Sequence, residues 1–111
     1  MDVFKALSVP TRRSIVELLA VEGELSATSI SDRFKTTPQA ISQHLSALRD
    51  AHLVQMQKRG QFRLYQLDPA GVNACSEWAE KMTRLWTRRF DALERLLQKE
   101  KRNASEKGTS T

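Results

Sequence analysis

Apolar residues recur at intervals of three and four along most of this chain, which is the spacing of helices that bury one face. The pattern predicts helices over residues 2–8, 10–21, 26–34 and 38–51, and a last helix from Pro69 to about Lys99. The apolar faces expected to pack in a core consist of Ile15, Leu18, Leu19 and Val21, of Ile30 and Phe34, and of Ile41, Leu45 and Leu48.

Residues 53–67, LVQMQKRGQFRLYQL, have a different pattern, which KRG interrupts at Gly60. Two strands around a tight turn are typical of such a stretch, and glycine supplies the permissive backbone of the turn. Two helices joined by the short turn KTT and followed by a hairpin form a winged helix-turn-helix. We therefore expect a mainly α fold with a small β-hairpin, one domain over residues 1–100, and a disordered polar tail over residues 101–111.

The helix predicted over residues 38–51 has an unusual polar face. Thr37 suits its N-cap and Pro38 its first position. The side chains opposite its apolar stripe are Gln39, Ser42, Gln43, Ser46 and Asp50. A solvated helix face usually carries Lys and Glu, whereas amides and hydroxyls can bond to base edges and phosphates. The face therefore indicates contact with DNA, and a merely solvated face is the alternative.

The basic residues are concentrated on the same part of the chain. The whole chain has 18 basic and 13 acidic residues, a net charge of +5. Residues 33–66 hold six basic residues and one acidic residue, so this segment accounts for the entire excess. Such a patch suits a polyanion, although a solvated surface with a chance cluster of charges has the same composition.

The second helix of a helix-turn-helix enters the major groove of DNA, and here the hairpin would lie beside it as a wing. The DNA contacts expected on the helix are Thr37, Gln39, Ser42, Gln43 and Ser46. Those expected on the wing, to phosphates or to an adjacent minor groove, are Lys58, Arg59, Gln61 and Arg63. The expected partner is double-stranded DNA.

The two histidines do not indicate a metal site. A predicted helix end separates them, and no Cys, Asp or Glu completes a ligand set at familiar spacing. His44 either reaches a phosphate or packs against the preceding helix, and His52 is expected to be structural. The sequence has no Ser/His/Asp or Cys/His arrangement and no glycine loop for phosphates. Neither enzymatic activity nor a cofactor is expected.

Three stretches carry a resemblance to a known family: DVFKALSVPTRRSIVELL, TPQAISQHLSALRDAHLV and KRGQFRLYQLDP. Together and in order they resemble the ArsR/SmtB family of bacterial winged-helix repressors, closely over residues 2–69 and loosely over the last helix. The resemblance implies a homodimer that represses transcription at inverted repeats. It also implies DNA contacts at Gln39, Ser42 and Gln43, in agreement with the polar face.

The sequence departs from the metal-sensing members of that family. Their ELCVCDL-like stretch is ELSATSI here, and the hydroxyls of Ser26 and Thr28 are weak ligands for soft metals. The last helix has no histidine, and its aromatic residues resemble a branch that lacks the known metal sites. Relatives commonly have Asp where Val9 stands, so the second helix is expected to lack a side-chain cap. No metal site is expected.

The predicted last helix has an apolar stripe that is too long for one small domain to cover. Its members are Cys75, Trp78, Met82, Leu85, Trp86, Phe90, Leu93 and Leu97. About 30 residues span roughly 45 Å. A second copy of the chain, related by symmetry, is the simplest partner that could bury the whole stripe. The expected homodimer interface, formed by the first and last helices, is Phe4, Leu7, Met82, Leu85, Trp86, Phe90, Leu93 and Leu97. The alternative is that the stripe folds back onto its own domain.

The leading function is that of a dimeric, sequence-specific DNA-binding regulator, a repressor at an inverted-repeat operator. Two alternatives stay open: a thiol- or small-ligand-responsive repressor that senses through Cys75 or the dimer groove, and a winged-helix module for protein association. A lone cysteine excludes an intrachain disulfide framework. The sequence has no apolar run of membrane-spanning length and no signal-peptide pattern, so a cytoplasmic location is expected. The sequence identifies no inducer.

Overall fold

The computed structural model of the chain describes the backbone of residues 2–109 and the side chains of residues 2–105. The elements follow one another as α1 (Val3–Leu7), α2 (Pro10–Glu22), β1 (Glu24–Ser26), α3 (Ala27–Asp32), α4 (Pro38–Asp50), β2 (Val54–Arg59), β3 (Phe62–Leu67) and α5 (Pro69–Thr109). The helices and the hairpin predicted from the sequence are present, and α1 to α4 lie close to their predicted bounds.

The residues up to Ser76 pack around one core. Its largest fully buried side chains are Ile15, Leu19, Ile30, Ile41, Leu45, Leu48, Leu53 and Val54. The predicted core positions on α3 and α4 are thus confirmed, with Phe34 half-buried beside them. The prediction for Val21 is wrong, because its side chain is 85% exposed. At about 100° per residue, a position six residues after Ile15 turns away from the buried face of α2.

The wing belongs to a three-stranded antiparallel sheet in the order β1–β3–β2. β2 and β3 pair as far as Arg59↔Phe62, which leaves Gly60 and Gln61 as a two-residue loop. Gly60 has a φ of 61°, and hairpin turns of this length need such a residue. β1 was not predicted, because three residues are too few to show an alternating pattern. It adds a strand along β3, from Glu24↔Gln66 to Ser26↔Leu64.

Side-chain caps determine where the helices of the helix-turn-helix begin. Oγ1 of Thr37 accepts a hydrogen bond of 3.1 Å from the backbone N–H of Ala40, which confirms the predicted N-cap of α4. The hydroxyl oxygen of Ser26 caps α3 in the same way. Val9 gives α2 no side-chain cap, as predicted. Such a cap typically contributes about 1 kcal/mol.

The last helix is longer than predicted. α5 contains 41 residues, about 60 Å at the rise of an α-helix. Residues 101–109, expected in a disordered tail, continue the helix. They contain no proline, and their Lys, Arg, Glu and Ala are good helix formers. Residues 110 and 111 lie outside the described residues. The part of α5 from Glu77 onward is a second compact unit, and one domain over residues 1–100 stays a prediction.

Backbone contacts fix the start of α5 to the loop that follows α4. The N–H of Gly71 donates a hydrogen bond of 2.7 Å to the carbonyl oxygen of His52, and the N–H of Asp68 donates one of 2.9 Å to that of Leu53. A Cβ at Gly71 would overlap the His52 carbonyl group, so this approach requires glycine. His52 has a φ of 57°, and its backbone turns the chain from α4 towards β2.

Candidate nucleic-acid interface

The helix α4 is anchored by one face and presents the opposite face to solvent. Ile41, Leu45 and Leu48 are at most 1% exposed, so packing fixes the rotation of the helix about its axis. The polar face predicted from the sequence is exposed along its length, at Gln39, Ser42, Gln43, Ser46 and Asp50. Packing therefore fixes the helix that carries these amides and hydroxyls, and side chains of this kind can bond to base edges.

The wing presents basic side chains at the tip of the β2–β3 hairpin. Lys58 and Arg63 lie directly opposite each other in the strand register, so their side chains emerge on the same side of the sheet. Lys58, Arg59, Gln61 and Arg63 are all exposed. Two like charges at opposite positions destabilise a strand pair slightly, and a polyanion bound there would offset that cost.

Ion pairs neutralise part of the predicted basic patch. The two Nη atoms of Arg59 lie 3.0 and 3.4 Å from the carboxylate oxygens of Glu24 on β1, and Arg33 pairs with Glu22 at 3.2 Å. Exposed pairs of this kind contribute about 0–1 kcal/mol, so a phosphate can displace the carboxylate. Among the described side chains, the basic residues of the patch that form no ion pair are Lys35, Arg49, Lys58 and Arg63.

His44 makes a contact that the sequence did not indicate. The Nε–H of Arg12, on α2, donates a hydrogen bond of 3.3 Å to Nδ1 of His44. Burial, and then the positive charge of Arg12, lower the pKa of His44. The sequence offered a phosphate or the preceding helix as its neighbour, and no pattern links two residues so far apart in the chain. The bond ties α4 to the first turn of α2.

A cavity of about 230 Å³ lies between the helix-turn-helix and the wing strand β3. Ser42 of α4 and Arg63 of β3 both line it, so the structure brings together one predicted DNA contact from each element. The other predicted contacts do not line the cavity. Thr37, Gln39, Gln43 and Ser46 lie elsewhere on or beside α4, and Lys58, Arg59 and Gln61 lie near the hairpin tip.

The helix from Glu77 onward has an exposed apolar face. Trp86, Phe90 and Leu93 are 68%, 57% and 54% exposed. The complete set is Trp78, Met82, Leu85, Trp86, Phe90, Leu93, Leu96 and Leu97, of which the predicted stripe lacked Leu96. Exposed apolar patches of this kind are typical of interaction surfaces. Within the described residues, no helix combines the length and hydropathy that crossing a membrane requires.

The residues predicted to join this surface from α1 differ in exposure. Phe4 is 45% exposed, whereas Leu7 is half-buried and packs against the core of its own unit. Part of the Leu7 side chain is therefore already buried within its own unit. Phe4 is the residue of α1 that retains the larger exposed apolar surface.

Cys75 lies in a setting that does not activate its thiol. It is half-buried, and burial, followed by the negative charge of Asp2, raises its pKa. A higher pKa reduces the fraction of nucleophilic thiolate. In the part of the chain that the structure describes, no three His, Cys, Asp or Glu side chains come together as a possible metal site.

Known proteins resemble this chain in both sequence and fold. A family described as a helix-turn-helix domain matches residues 7–57. The transcriptional repressor SdpR of Bacillus subtilis is 36% identical over 77 residues, which cover 69% of this chain and 84% of that protein. An ArsR-like transcriptional regulator from Rhodococcus sp. RHA1 has a TM-score of 0.74 at 34% identity, and the match covers 85% of this chain and 88% of that one.

A further solved structure bears on oligomeric state. The winged helix-turn-helix DNA-binding domain of a possible ArsR-family regulator from Mycobacterium bovis is described as homodimeric. It has a TM-score of 0.60 at 26% identity, and the match covers 74% of this chain and 75% of that one.

Proposed function

Because the chain belongs to the ArsR/SmtB family of winged helix-turn-helix transcriptional regulators, we propose that it acts as a homodimeric repressor at an inverted-repeat site in double-stranded DNA. The observation that carries this proposal is the exposed Gln and Ser face of α4, held in place by the core and accompanied by a basic wing. Amides and hydroxyls read base edges, and Lys and Arg bind phosphates.

The residues of α4 have distinct roles in this proposal. Gln39 and Gln43 read base edges in the major groove, since an amide can donate and accept at once. Ser42 and Ser46 bond to bases or phosphates at close range. The hydroxyl oxygen of Thr37 already accepts the capping bond, and its O–H can still donate to a phosphate oxygen.

The residues of the wing act mainly through charge. Lys58 and Arg63 form no ion pair within the described part of the chain, so they can bind phosphates directly. In this proposal Gln61, in the turn, contacts an adjacent groove. Arg59 binds a phosphate only after it has exchanged its partner Glu24. We therefore assign Arg59 a smaller contribution than Arg63.

The exposed apolar face of α5 is proposed to pair with the same face of a second copy. Its large side chains follow one another at helical spacing from Trp78 to Leu97, and a two-fold axis lets one self-complementary surface cover both copies. The homodimeric domain from Mycobacterium bovis is a precedent within the same fold. Phe4 of α1 is the second proposed contributor, with a smaller part for Leu7.

In this proposal the protein acts by occupying its binding site on DNA. SdpR, its relative, is named a transcriptional repressor, and the proposal includes no catalytic step and no cofactor. We place the protein in the cytoplasm, together with the DNA that it is proposed to bind.

The experiment is a selection of duplex fragments on the purified chain, followed by footprinting and sedimentation of the complex. The expected fragments share two inverted half-sites about one helical turn apart, roughly 34–36 Å, with one dimer bound. Affinity for DNA should fall steeply with salt, which separates this function from that of a protein-association module. Fragments without a shared sequence, or tight binding of one monomer to one half-site, would contradict the proposal.

A further inference from the structure

The cavity between α3, α4 and β3 has an apolar floor. Ile41 and Leu45 of α4 and Tyr65 of β3 line it, and these three residues are at most 6% exposed. Its volume of about 230 Å³ is below the range of about 300–1,000 Å³ for sites that hold drug-sized ligands. A small metabolite with an apolar part fits these dimensions.

Two opposite charges border the same cavity. Asp32, the last residue of α3, and Arg63 of β3 both line it. Neither forms an ion pair with the other or with another described side chain. The hydroxyl groups of Thr28, Ser31 and Ser42 add further polar atoms to the lining. An apolar floor with a few polar and charged groups around it is the usual composition of a small-molecule site.

We propose that this cavity binds an α-amino acid with an apolar side chain and that the bound amino acid releases DNA. The carboxylate accepts hydrogen bonds from the guanidinium of Arg63, and the ammonium group donates to the carboxylate of Asp32. The side chain covers the apolar floor. A simple anion would be repelled by Asp32, and a simple cation would be repelled by Arg63, so the charge pattern favours a zwitterion.

Binding of the amino acid and binding of DNA compete because they need the same groups. Ser42 and Arg63 line the cavity and are also proposed DNA contacts, so this inference rests on the proposed function. A guanidinium that holds a carboxylate is not available to a phosphate. With simple competition, an amino acid at ten times its Kd raises the apparent Kd for DNA by about 11-fold.

The first experiment compares probes that share one apolar body and differ in charge. L-phenylalanine, phenylacetate and phenethylamine are titrated into the ¹⁵N-labelled full chain, with L-leucine as a second amino acid. The expected result is a shift of the backbone amides of Ile41, Leu45 and Tyr65. An amino acid should bind at least about tenfold more tightly than the singly charged probes, since a built polar site rejects analogues that leave its groups unpaired. Equal binding of all probes, or unshifted amides with both amino acids at millimolar concentration, overturns the proposal.

The second experiment uses a matched pair of wing variants. Arg63→Gln should lose amino-acid binding and weaken DNA binding. Lys58→Gln removes the same charge at the position opposite Arg63, outside the cavity. It should weaken DNA binding and keep the wild-type Kd for the amino acid. Asp32→Asn should weaken phenylalanine binding and leave phenylacetate binding equal or tighter. If Arg63→Gln binds the amino acid with the wild-type Kd, this cavity is not the binding site.

These measurements separate the two proposals. DNA binding without any probe tests the proposed function alone. A chain that binds its DNA site and ignores both amino acids overturns only the ligand site. A chain that binds an amino acid in the cavity and no DNA contradicts the proposed function and the release of DNA, while the three amide shifts still support the site.

Discussion

The Nε–H of Arg12 donates a hydrogen bond of 3.3 Å to Nδ1 of His44, which joins the first turn of α2 to the middle of α4. A ring nitrogen that accepts a hydrogen bond carries no proton, so His44 is neutral with its proton on Nε2. Burial and the charge of Arg12, in that order, lower the pKa of His44 and favour the same neutral form. One of the contacts that anchor α4 is therefore made by an uncharged imidazole.

We expect His44 to make the stability of the fold depend on pH. Folding lowers the pKa of His44 from its ordinary value of 6.5, so the unfolded chain binds the proton more readily. The contribution of His44 is complete above pH 6.5 and is lost as the pH falls through the lowered pKa. Urea unfolding at a series of pH values measures this loss.

The control variant is His44→Asn, whose amide oxygen can still accept from Arg12 and does not titrate. It should show a smaller loss of unfolding free energy on acidification than wild type. Identical pH profiles for the two proteins would show that the loss comes from other groups. Replacing Arg12 with Gln should weaken the bond in both backgrounds and reduce the difference between them.

We expect Gln39→Ala or Gln43→Ala to weaken binding to the specific DNA site by about 1–3 kcal/mol, because each removes a donor and an acceptor for base edges. Binding to random duplex should be nearly unchanged, since phosphates dominate it. Gln98→Ala is the matched control, because it removes an exposed glutamine from α5. A loss of equal size on random DNA would remove these residues from base readout.

We expect the two arginines of the wing to differ in their effect on salt dependence. Arg63→Ala should flatten the slope of log affinity against log salt by about one unit, if Arg63 neutralises one phosphate. Arg59→Ala should have less than half that effect, because Glu24 already holds Arg59 at 3.0 Å. Glu24→Gln should release Arg59 and steepen the slope. Equal slopes for the two arginine variants would show that a DNA phosphate displaces Glu24 from Arg59 completely.

Local patterns were sufficient to predict the helices, the hairpin and the exposed face of α4. Ile41, Leu45 and Leu48 recur at helical spacing and are buried, and the polar residues between them consequently face solvent. The hairpin followed from the turn at Gly60. Each of these features depends on residues that are close in the sequence, so periodicity and turn chemistry determine it.

Contacts between residues that are far apart in the chain could not be predicted from one sequence. The pairing of Arg59 with Glu24 requires β1, and Arg12 meets His44 only when α2 and α4 pack together. The end of α5 was placed too early because apolar spacing stops at Leu97, while helix propensity continues through polar residues. The cavity that Asp32 and Arg63 border needs three elements in place.

We expect Gly71→Ala to destabilise the fold although alanine is the better helix former by about 1 kcal/mol. A Cβ at this position would meet the backbone of His52 and lie 2.9 Å from the backbone nitrogen of Leu53. Backbone atoms cannot yield as a flexible side chain does, and overpacking of this kind costs about 1–3 kcal/mol. Urea unfolding measures the change. Asn73→Ala, an exposed position on the same helix, should be neutral or slightly stabilising, and equal stability of Gly71→Ala and wild type would disprove the close approach.

The last prediction concerns the exposed face of α5 and its effect on DNA binding. Phe90→Glu combined with Leu93→Glu places two charges in the proposed dimer interface, where burying them is costly. In the single chain both positions are more than half exposed, so the cost falls on association and the fold is retained. Sedimentation should show a folded monomer.

The monomer should bind DNA weakly and with strong salt dependence, because it can occupy one half-site only. Thr87→Glu combined with Gln98→Glu adds the same charge at exposed polar positions of α5 and should remain a dimer with near wild-type affinity. If the Phe90 and Leu93 variant stays dimeric, this face of α5 is not the interface. If its monomer binds one half-site as tightly as wild type binds the full site, dimerisation is not what gives the repressor its affinity.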